Sequence, residues 1–233
     1  MYFELNNGDI YALLAAFCWS SGVIFFDIAG KQFNSIQINL LKNIIGLLCF
    51  FTTLFFTNNL LLTYSNQDYG LLAVSAILGV ALGDLFLLHS LRILGAGLYA
   101  IIGTSYILFV FLFAFLMYGE LMTMQVLIGA IFVIIGIIIR SKSKIQNKDK
   151  VLYRGIFYGL IAQGLTAYSV LLIRPIMENN HVIHIAMIRF GIGALFNIIH
   201  IISINGIVFF KQTMQKGFSS LVMVSGAFFG TFL

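Results

Sequence analysis

The 233-residue chain is 61% hydrophobic and only 9% charged, with a formal net charge of +5. Soluble domains contain about 45–50% apolar and about 25% charged residues, so this composition excludes a soluble globular protein and indicates a membrane protein. The positive charge does not indicate a nucleic-acid partner, because six of the 13 lysines and arginines lie within residues 140–154. A short loop at a membrane surface accounts for them.

Apolar runs long enough to cross a bilayer follow one another along the chain. A transmembrane helix needs about 20 mostly apolar residues. We predict spans near residues 10–28, 36–57, 70–91, 94–118, 122–139, 155–173 and 183–204, and an eighth that begins near residue 218. The runs are continuous rather than alternating, which favours helices over a β-barrel. The sequence therefore predicts an all-α integral membrane protein with about eight helices and no soluble domain.

The sequence matches itself without a gap when it is shifted by 147 residues. The shift places Lys42 on Arg189, which keeps a cation inside a span. It also aligns glycines: Gly8 with Gly155, Gly46 with Gly193, Gly70 with Gly217, Gly79 with Gly226 and Gly83 with Gly230. We therefore predict a first five-helix repeat over residues 8–140, a basic loop over 141–154 and a second repeat over 155–233.

The odd number of spans in the first repeat predicts that the second repeat is inverted in the membrane. Inverted repeats of this kind are typical of secondary transporters, whose substrate site lies near the midplane where the halves meet. The second repeat stops at Leu233, the counterpart of Phe86. The chain is therefore interpreted as a fragment of a ten-helix protein or a shortened form of one. We expect it to be poorly stable and inactive on its own, because the fourth and fifth helices of the first repeat have no counterpart in the second.

Several stretches carry a family resemblance. They are "ALLAAFCWSSGVIFFDIAGK" in the first span, "GDLFLLHSLRILGAGLYAIIGTSYILFVFLFAFLMYGE" in the third and fourth, and "QVLIGAIFVIIGIIIR" in the fifth. The chain resembles the EamA-type transporters of the drug/metabolite transporter superfamily, which are ten-helix carriers built from two inverted repeats. Ile107 stands where that family usually has a proline. Without the proline we expect a straighter fourth helix. Lys42 stands where an arginine is common, whereas Arg189 keeps the arginine in the second repeat.

Two opposite charges lie deep within neighbouring predicted spans. Lys42 is six residues after the start of the second span near Ile36, and Asp84 is seven residues before the end of the third near Leu91. At 1.5 Å per residue both lie about 9–10 Å from the same membrane surface. A lone charge at this depth costs a few kcal/mol. We therefore predict that Lys42 and Asp84 form an ion pair in the bundle interior.

Other polar or aromatic residues are candidates for a substrate path. Arg189 has no acidic counterpart, because Thr231 stands where Asp84 falls in the repeat, so it must find another acceptor or face an aqueous cavity. Trp19 lies near the middle of its span, where it either lines a cavity or fills space beside small residues. Tyr106 is a further candidate, together with Tyr99, Gln163 and Tyr168. Glu120 is interpreted as a carboxylate that stabilises the start of the next helix.

These features predict a secondary carrier of small metabolites, such as amino acids, that works by alternating access in the plasma membrane. The expected partners are the lipid bilayer and a small-molecule substrate, with Asp84 as the candidate for proton coupling. The sequence contains no nucleotide-binding motif and indicates neither a cofactor nor a metal site. Two alternatives compete: a membrane-embedded enzyme, which would need a cluster of catalytic residues, and a non-transporting interaction protein or inactive transporter fragment.

The orientation in the membrane is predicted differently by two arguments. Positive residues gather in the loops after spans one, three, five and seven, at Lys31, Arg92, residues 140–154, Lys211 and Lys216. The positive-inside rule therefore places the amino terminus outside, whereas the family resemblance implies an amino terminus inside. We favour the charge argument, because the 140–154 segment is short and lies close to two helix ends.

Overall fold

The computed structural model describes residues 7–58, 60, 63–121, 124–144 and 150–232, and these form helices joined by short turns. The α-helices are α1 (Asn7–Ala29), α2 (Ser35–Phe56), α3 (Asn66–Ser75), α4 (Asp84–Gly103), α5 (Tyr106–Tyr118), α6 (Met124–Lys144), α7 (Lys150–Leu172), α8 (Arg174–Asn179), α9 (Val182–Ser219) and α10 (Leu221–Ala227). Two π-helical stretches, the first π-segment (Ala76–Gly83) and the second π-segment (Phe228–Phe232), follow α3 and α10.

Five helical stretches among the described residues are long and apolar enough to cross a membrane. They are Gly8–Ala29, Ser35–Phe56, Asn66–Gly103, Lys150–Leu172 and Val182–Ser219, and shorter apolar helices cover Tyr106–Tyr118 and Leu221–Phe232. Many large apolar side chains on these helices point outward, including Phe17 and Phe56. Such a surface suits lipid rather than water. The predicted fold class is confirmed: the chain is an all-α, multi-pass membrane protein.

Two glycines divide helices that are otherwise continuous. Gly95 has φ 73° and ψ 163° within α4, and Gly206 has φ 81° and ψ 167° within α9. Glycine tolerates these angles because it has no Cβ. Gly95 falls at the predicted boundary between the third and fourth spans, which is therefore confirmed, and Gly206 follows the predicted seventh span.

The prediction of a straighter fourth helix is wrong. The helix is interrupted at Thr104 and Ser105, between α4 and α5, although Ile107 replaces the expected proline. The amide of Ser105 donates to the carbonyl of Ile102 at 3.0 Å, and the amide of Leu108 donates to the carbonyl of Ser105 at 3.0 Å. These are three-residue steps of the tighter 3₁₀ type. The Thr104 hydroxyl also donates to the backbone carbonyl of Ile101 at 2.7 Å, and such bonds compete with the α-helical pattern.

The packing of the helices crosses the two predicted repeats. α2 packs along α9, α7 packs on the first π-segment and α4, and α1 packs on α10 and the second π-segment. A Cβ atom at Gly22 would overlap the backbone of Gly230, and one at Gly79 would overlap the hydroxyl of Ser169. Ser169 is the counterpart of Gly22 in the 147-residue shift. This exchange of equivalent helices supports the predicted inverted repeat, which stays a prediction.

The membrane orientation can be tested at Asn66 and Ser143, which precede the third span and follow the fifth, so that they face opposite sides of the membrane. Cys18 and Cys49 are free and half-buried, so both should be replaced by serine first. An impermeant maleimide should then label Asn66→Cys in intact cells and Ser143→Cys only after permeabilisation, because the positive-inside rule places the 140–154 loop inside. Labelling of Ser143→Cys in intact cells would instead place the amino terminus inside.

Candidate functional site

An ion pair joins α2 to the start of α4. Nζ of Lys42 lies 2.6 Å from Oδ2 of Asp84, and the two side chains are only 7% and 15% exposed. Asp84 reaches Lys42 because it is the first residue after the first π-segment, where the third span lies against α2 and α9. The predicted pair between Lys42 and Asp84 is therefore confirmed. A role for either residue in substrate binding or coupling stays a prediction.

Neighbouring polar groups hold the pair in place. Nζ of Lys42 also donates to Oδ1 of Asn43 at 2.9 Å and lies 5.1 Å from the ring centre of Phe190. One turn earlier on α2, Nδ2 of Asn39 donates to the backbone carbonyl of Ala81, within the first π-segment, at 2.8 Å. Hydrogen bonds to a buried charge offset part of its lost hydration. The polar face of α2 thus fixes the lysine and the π-segment together.

Arg189, the repeat counterpart of Lys42, contributes a second cation from α9. Its Nη2 atom donates to the hydroxyl of Ser169 on α7 at 3.2 Å. Its Nε atom is buried and has no hydrogen-bond partner among the residues that the structure describes. A Cβ atom on Gly79 would lie 3.1 Å from Nη2, so the glycine leaves room for the guanidinium. The prediction that Arg189 needs another acceptor or a cavity is confirmed by Ser169 and by the cavity described next.

A cavity of about 330 Å³ lies where the spans of the two predicted repeats meet. Its charged lining consists of Lys42, Asp84 and Arg189, and Thr231 lies beside them. The rest of the wall is largely apolar and aromatic: Ala15, Trp19, Phe26, Gly79, Val80, Leu87, Leu88, Thr166, Val170, Phe190, Phe229 and Gly230. Such a mostly apolar pocket with a few convergent polar groups is typical of a small-molecule site. We call it the charged cavity.

A second cavity of about 900 Å³ adjoins the first between α1, α4, α5 and α7. The two cavities share Trp19, Asp84, Leu87 and Thr166. Further along, the second cavity is lined by Tyr99, Tyr106 and Gln163, and Nε2 of Gln163 donates to the Tyr99 hydroxyl at 2.8 Å. We call it the side cavity.

Three of the four polar path candidates therefore line the side cavity: Tyr99, Tyr106 and Gln163. Tyr168 instead packs edge-on against Phe113, with ring centres 5.4 Å apart. Trp19 lines both cavities and is 47% exposed, which favours the cavity-wall interpretation over simple space filling.

Thr166 and Phe190 are lining residues that the sequence analysis did not identify. Thr166 lies on both cavities and is the counterpart of Trp19 in the 147-residue shift. The repeat register was therefore a signal that could have identified it. Phe190 follows Arg189 directly, but the sequence does not reveal whether an apolar side chain in an apolar helix faces a cavity or lipid. Asn39 and Asn43, spaced by four within a membrane span, could have marked the polar face of α2.

Glu120 lies between α5 and α6, as expected, and forms an ion pair that the sequence did not reveal. Helix α6 begins four residues later, at Met124, and Oε1 of Glu120 accepts from Nη1 of Arg174 at 2.6 Å. Arg174 also contacts Glu178 at 2.9 Å, and its side chain lies over the ring of Tyr118. Hydrogen bonds to Glu120 and, to a lesser extent, to Glu178 raise the pKa of the Arg174 guanidinium. Glu120 therefore links the ends of α5 and α8, and its stabilisation of the next helix stays a prediction.

The long apolar helices and the charged cavity between them define a multi-pass membrane protein with an internal polar site. The model of the EamA-like transporter family matches residues 6–141, which is more than half of the chain. The chain therefore belongs to the EamA-like transporter family, as its sequence motifs indicated. This family places it among membrane transporters rather than enzymes. Neither the curated proteins nor the solved structures include a match.

Proposed function

We propose that the protein is a secondary carrier of small amphipathic metabolites, such as amino acids, working by alternating access in the plasma membrane. The observation that carries this proposal is the charged cavity, where Lys42, Asp84 and Arg189 meet inside a bundle of apolar helices. Charged residues within membrane spans are costly and mark substrate or ion pathways. Arg189 lies seven residues after the start of α9, and Lys42 lies seven residues after that of α2. Both are therefore about 10 Å deep.

The shape of the side cavity supports alternating access. Its lining runs from Ala96, near the end of the bundle where Arg92 lies, to Ile107 in the middle of the fourth span. The opposite end is closed by contacts between α5, α7 and α8. There the Tyr118 hydroxyl donates to the carbonyl of Leu171 at 2.6 Å, near the ion pair of Glu120 and Arg174. Helix contacts that close one end of the bundle are what one state of an alternating-access carrier requires.

Asp84 is the proposed coupling residue because it lines both cavities and holds Lys42. A proton on the Asp84 carboxylate would neutralise it and free Lys42 from the ion pair. The change in charge would therefore occur at the wall of the substrate site itself. In this proposal the energy for accumulation comes from a proton gradient.

Uptake by proteoliposomes tests the proposal. If the 233-residue chain is sufficient for transport, it should take up a radiolabelled amino acid in a saturable manner, and an imposed proton gradient should raise the accumulation. Asp84→Asn should abolish the gradient-driven part, because the amide cannot exchange a proton. Asp27→Asn is the matched control, since Asp27 lies in the last turn of α1 and lines neither cavity among the described residues.

The outcome also separates the carrier from its alternatives. Saturable uptake would correct the expectation that the chain is inactive on its own. Absence of uptake of any tested metabolite by the folded protein would favour a non-transporting interaction protein or an inactive fragment. Gradient-driven uptake that persists in Asp84→Asn would leave the carrier in place but remove Asp84 as its coupling residue.

A further inference from the structure

We propose that the charged cavity binds a monocarboxylate with an apolar tail, and that it prefers this anion to the zwitterionic amino acid of the same shape. The inference rests on the proposed function and refines its substrate class. It follows from the charges of the cavity wall, which are two cations and one carboxylate among the described lining residues. Because Lys42 and Asp84 neutralise each other at 2.6 Å, the three charges leave the cavity with a net charge of +1, and Arg189 forms no ion pair among the described residues.

Arg189 has the donors that a carboxylate needs. Its partner among the described residues is the neutral Ser169 hydroxyl, at 3.2 Å, and its buried Nε atom is unbonded there. A guanidinium presents its N–H groups as a planar fork that matches a carboxylate with two parallel hydrogen bonds. A carboxylate in the charged cavity would therefore satisfy both the charge and the unfilled donor.

The ammonium group of an amino acid would find no carboxylate of its own among the described residues that line the same cavity. Asp84 is the one carboxylate among the described residues that line it, and Lys42 already occupies its Oδ2 atom. An ammonium group at the other oxygen, Oδ1, would share the single negative charge of Asp84 with Lys42, and a zwitterion would leave the net positive charge of the cavity uncancelled. Desolvating a charged group without a partner is costly, so the acid without the amine is the better match.

The remaining wall selects the rest of the molecule. Trp19, Phe190 and Phe229 surround the charged groups, and the cavity volume is about 330 Å³. This volume is at the small end of the range for ligand pockets, which is about 300–1,000 Å³. A single free guanidinium also matches a monoanion better than a phosphate dianion. A short branched or aromatic carboxylic acid has the charge, the size and the apolar surface that the wall requires.

The protein supplies its own binding reporter, because Trp19 is the one tryptophan in the chain and lines the cavity. Tryptophan fluorescence of the full chain in lipid nanodiscs should be titrated with three molecules of matched shape: 4-methylpentanoate, leucine and 3-methylbutylamine. We expect saturable quenching by 4-methylpentanoate with an affinity about tenfold or more above that of leucine, and no saturable response to the amine.

Variants assign the effect to Arg189. Arg189→Gln should abolish binding of 4-methylpentanoate, whereas Arg189→Lys, which keeps the charge without the fork, should weaken it about tenfold. The matched control is Arg92→Gln, which removes an exposed cation that lines neither cavity among the described residues. Size-exclusion profiles identify variants that fail to fold. If Arg189→Gln is among them, Arg189→Lys decides the assignment.

The inference fails if leucine binds as tightly as 4-methylpentanoate, or if the amine binds most tightly, because the cavity would then provide an acceptor for an ammonium group. Either result would leave the proposed carrier function standing. The inference also fails if none of the three molecules binds the folded chain, and the uptake assay then decides the carrier function separately. If Arg189→Lys and Arg189→Gln bind 4-methylpentanoate as tightly as the parent, the anion binds at a site other than Arg189.

Discussion

Asp84→Asn and Lys42→Met should each lower the free energy of unfolding by about 3–5 kcal/mol, and the double variant should recover much of that loss. Removing one partner leaves an uncompensated buried charge, whereas removing both leaves none. The pair is buried, with 7% and 15% exposed side chains, so solvent screens it little. Unfolding of the four proteins in mixed micelles completes a double-mutant cycle, and a coupling energy well above experimental error is expected.

A second ion pair provides the control for this cycle. Arg174 and Glu120 lie 2.6 Å apart, but their side chains are 41% and 49% exposed. The same cycle with Arg174→Gln and Glu120→Gln should give a much smaller coupling, because exposed pairs contribute little. Additive effects of Lys42→Met and Asp84→Asn would rule out an energetic role for the buried pair. A double variant that is stable but no longer accumulates substrate would support its role in coupling.

Gly22→Ala should destabilise the protein by about 1–3 kcal/mol, although alanine is the better helix former. The new Cβ atom would lie 2.7 Å from the backbone nitrogen of Gly230 and still closer to its Cα. A backbone cannot rotate away as a side chain can, so α1 and the second π-segment would have to move apart. Overpacking of this kind costs about 1–3 kcal/mol, and close helix crossings in membranes depend on small residues.

Gly70→Ala is the matched control for this substitution. Gly70 also lies within a helix, α3, but a Cβ atom there would have no heavy atom within 4 Å. In open space the change from glycine to alanine should stabilise the helix by up to about 1 kcal/mol. Thermal unfolding of both variants should therefore shift in opposite directions. Gly22→Ala as stable as the parent would show that the crossing is looser than its geometry indicates.

The bundle and its central ion pair could be predicted from the sequence, because both depend on the length of the apolar runs and on the position of each charged residue within its run. The length of a run gives the span, and the rise of 1.5 Å per residue converts a position into a depth. Depth alone placed Lys42 beside Asp84 before any packing was known. The 147-residue shift likewise matched Arg189 to Lys42, and both cations line the same cavity.

Features that depend on rotation around a helix axis could not be predicted in the same way. Nearly all positions of these helices are apolar, so periodicity does not say which face meets a cavity. Phe190 could not be predicted for this reason, and Thr166 could be found only through the repeat register. The helix is also interrupted at Thr104 and Ser105, where local hydrogen bonds replace the α-helical ones although no proline is present. The ion pair of Glu120 could not be predicted either, because its partner, Arg174, is 54 residues away in the chain.

If Asp84 is the coupling residue, the first π-segment would make the winding of the third span sensitive to the charge of that residue. Ala76–Gly83 lies directly before this residue, and π-type bonds reach one residue further than α-type bonds. Conversion to α-type bonds would shift the register by one residue and turn Asp84 by about 100° around the axis. Two clamps hold the present winding: the bond from Asn39 to Ala81 and the pair with Lys42. In the proposed carrier, a proton on Asp84 would release the second clamp, and a single protonation would then be converted into a screw motion of the helix.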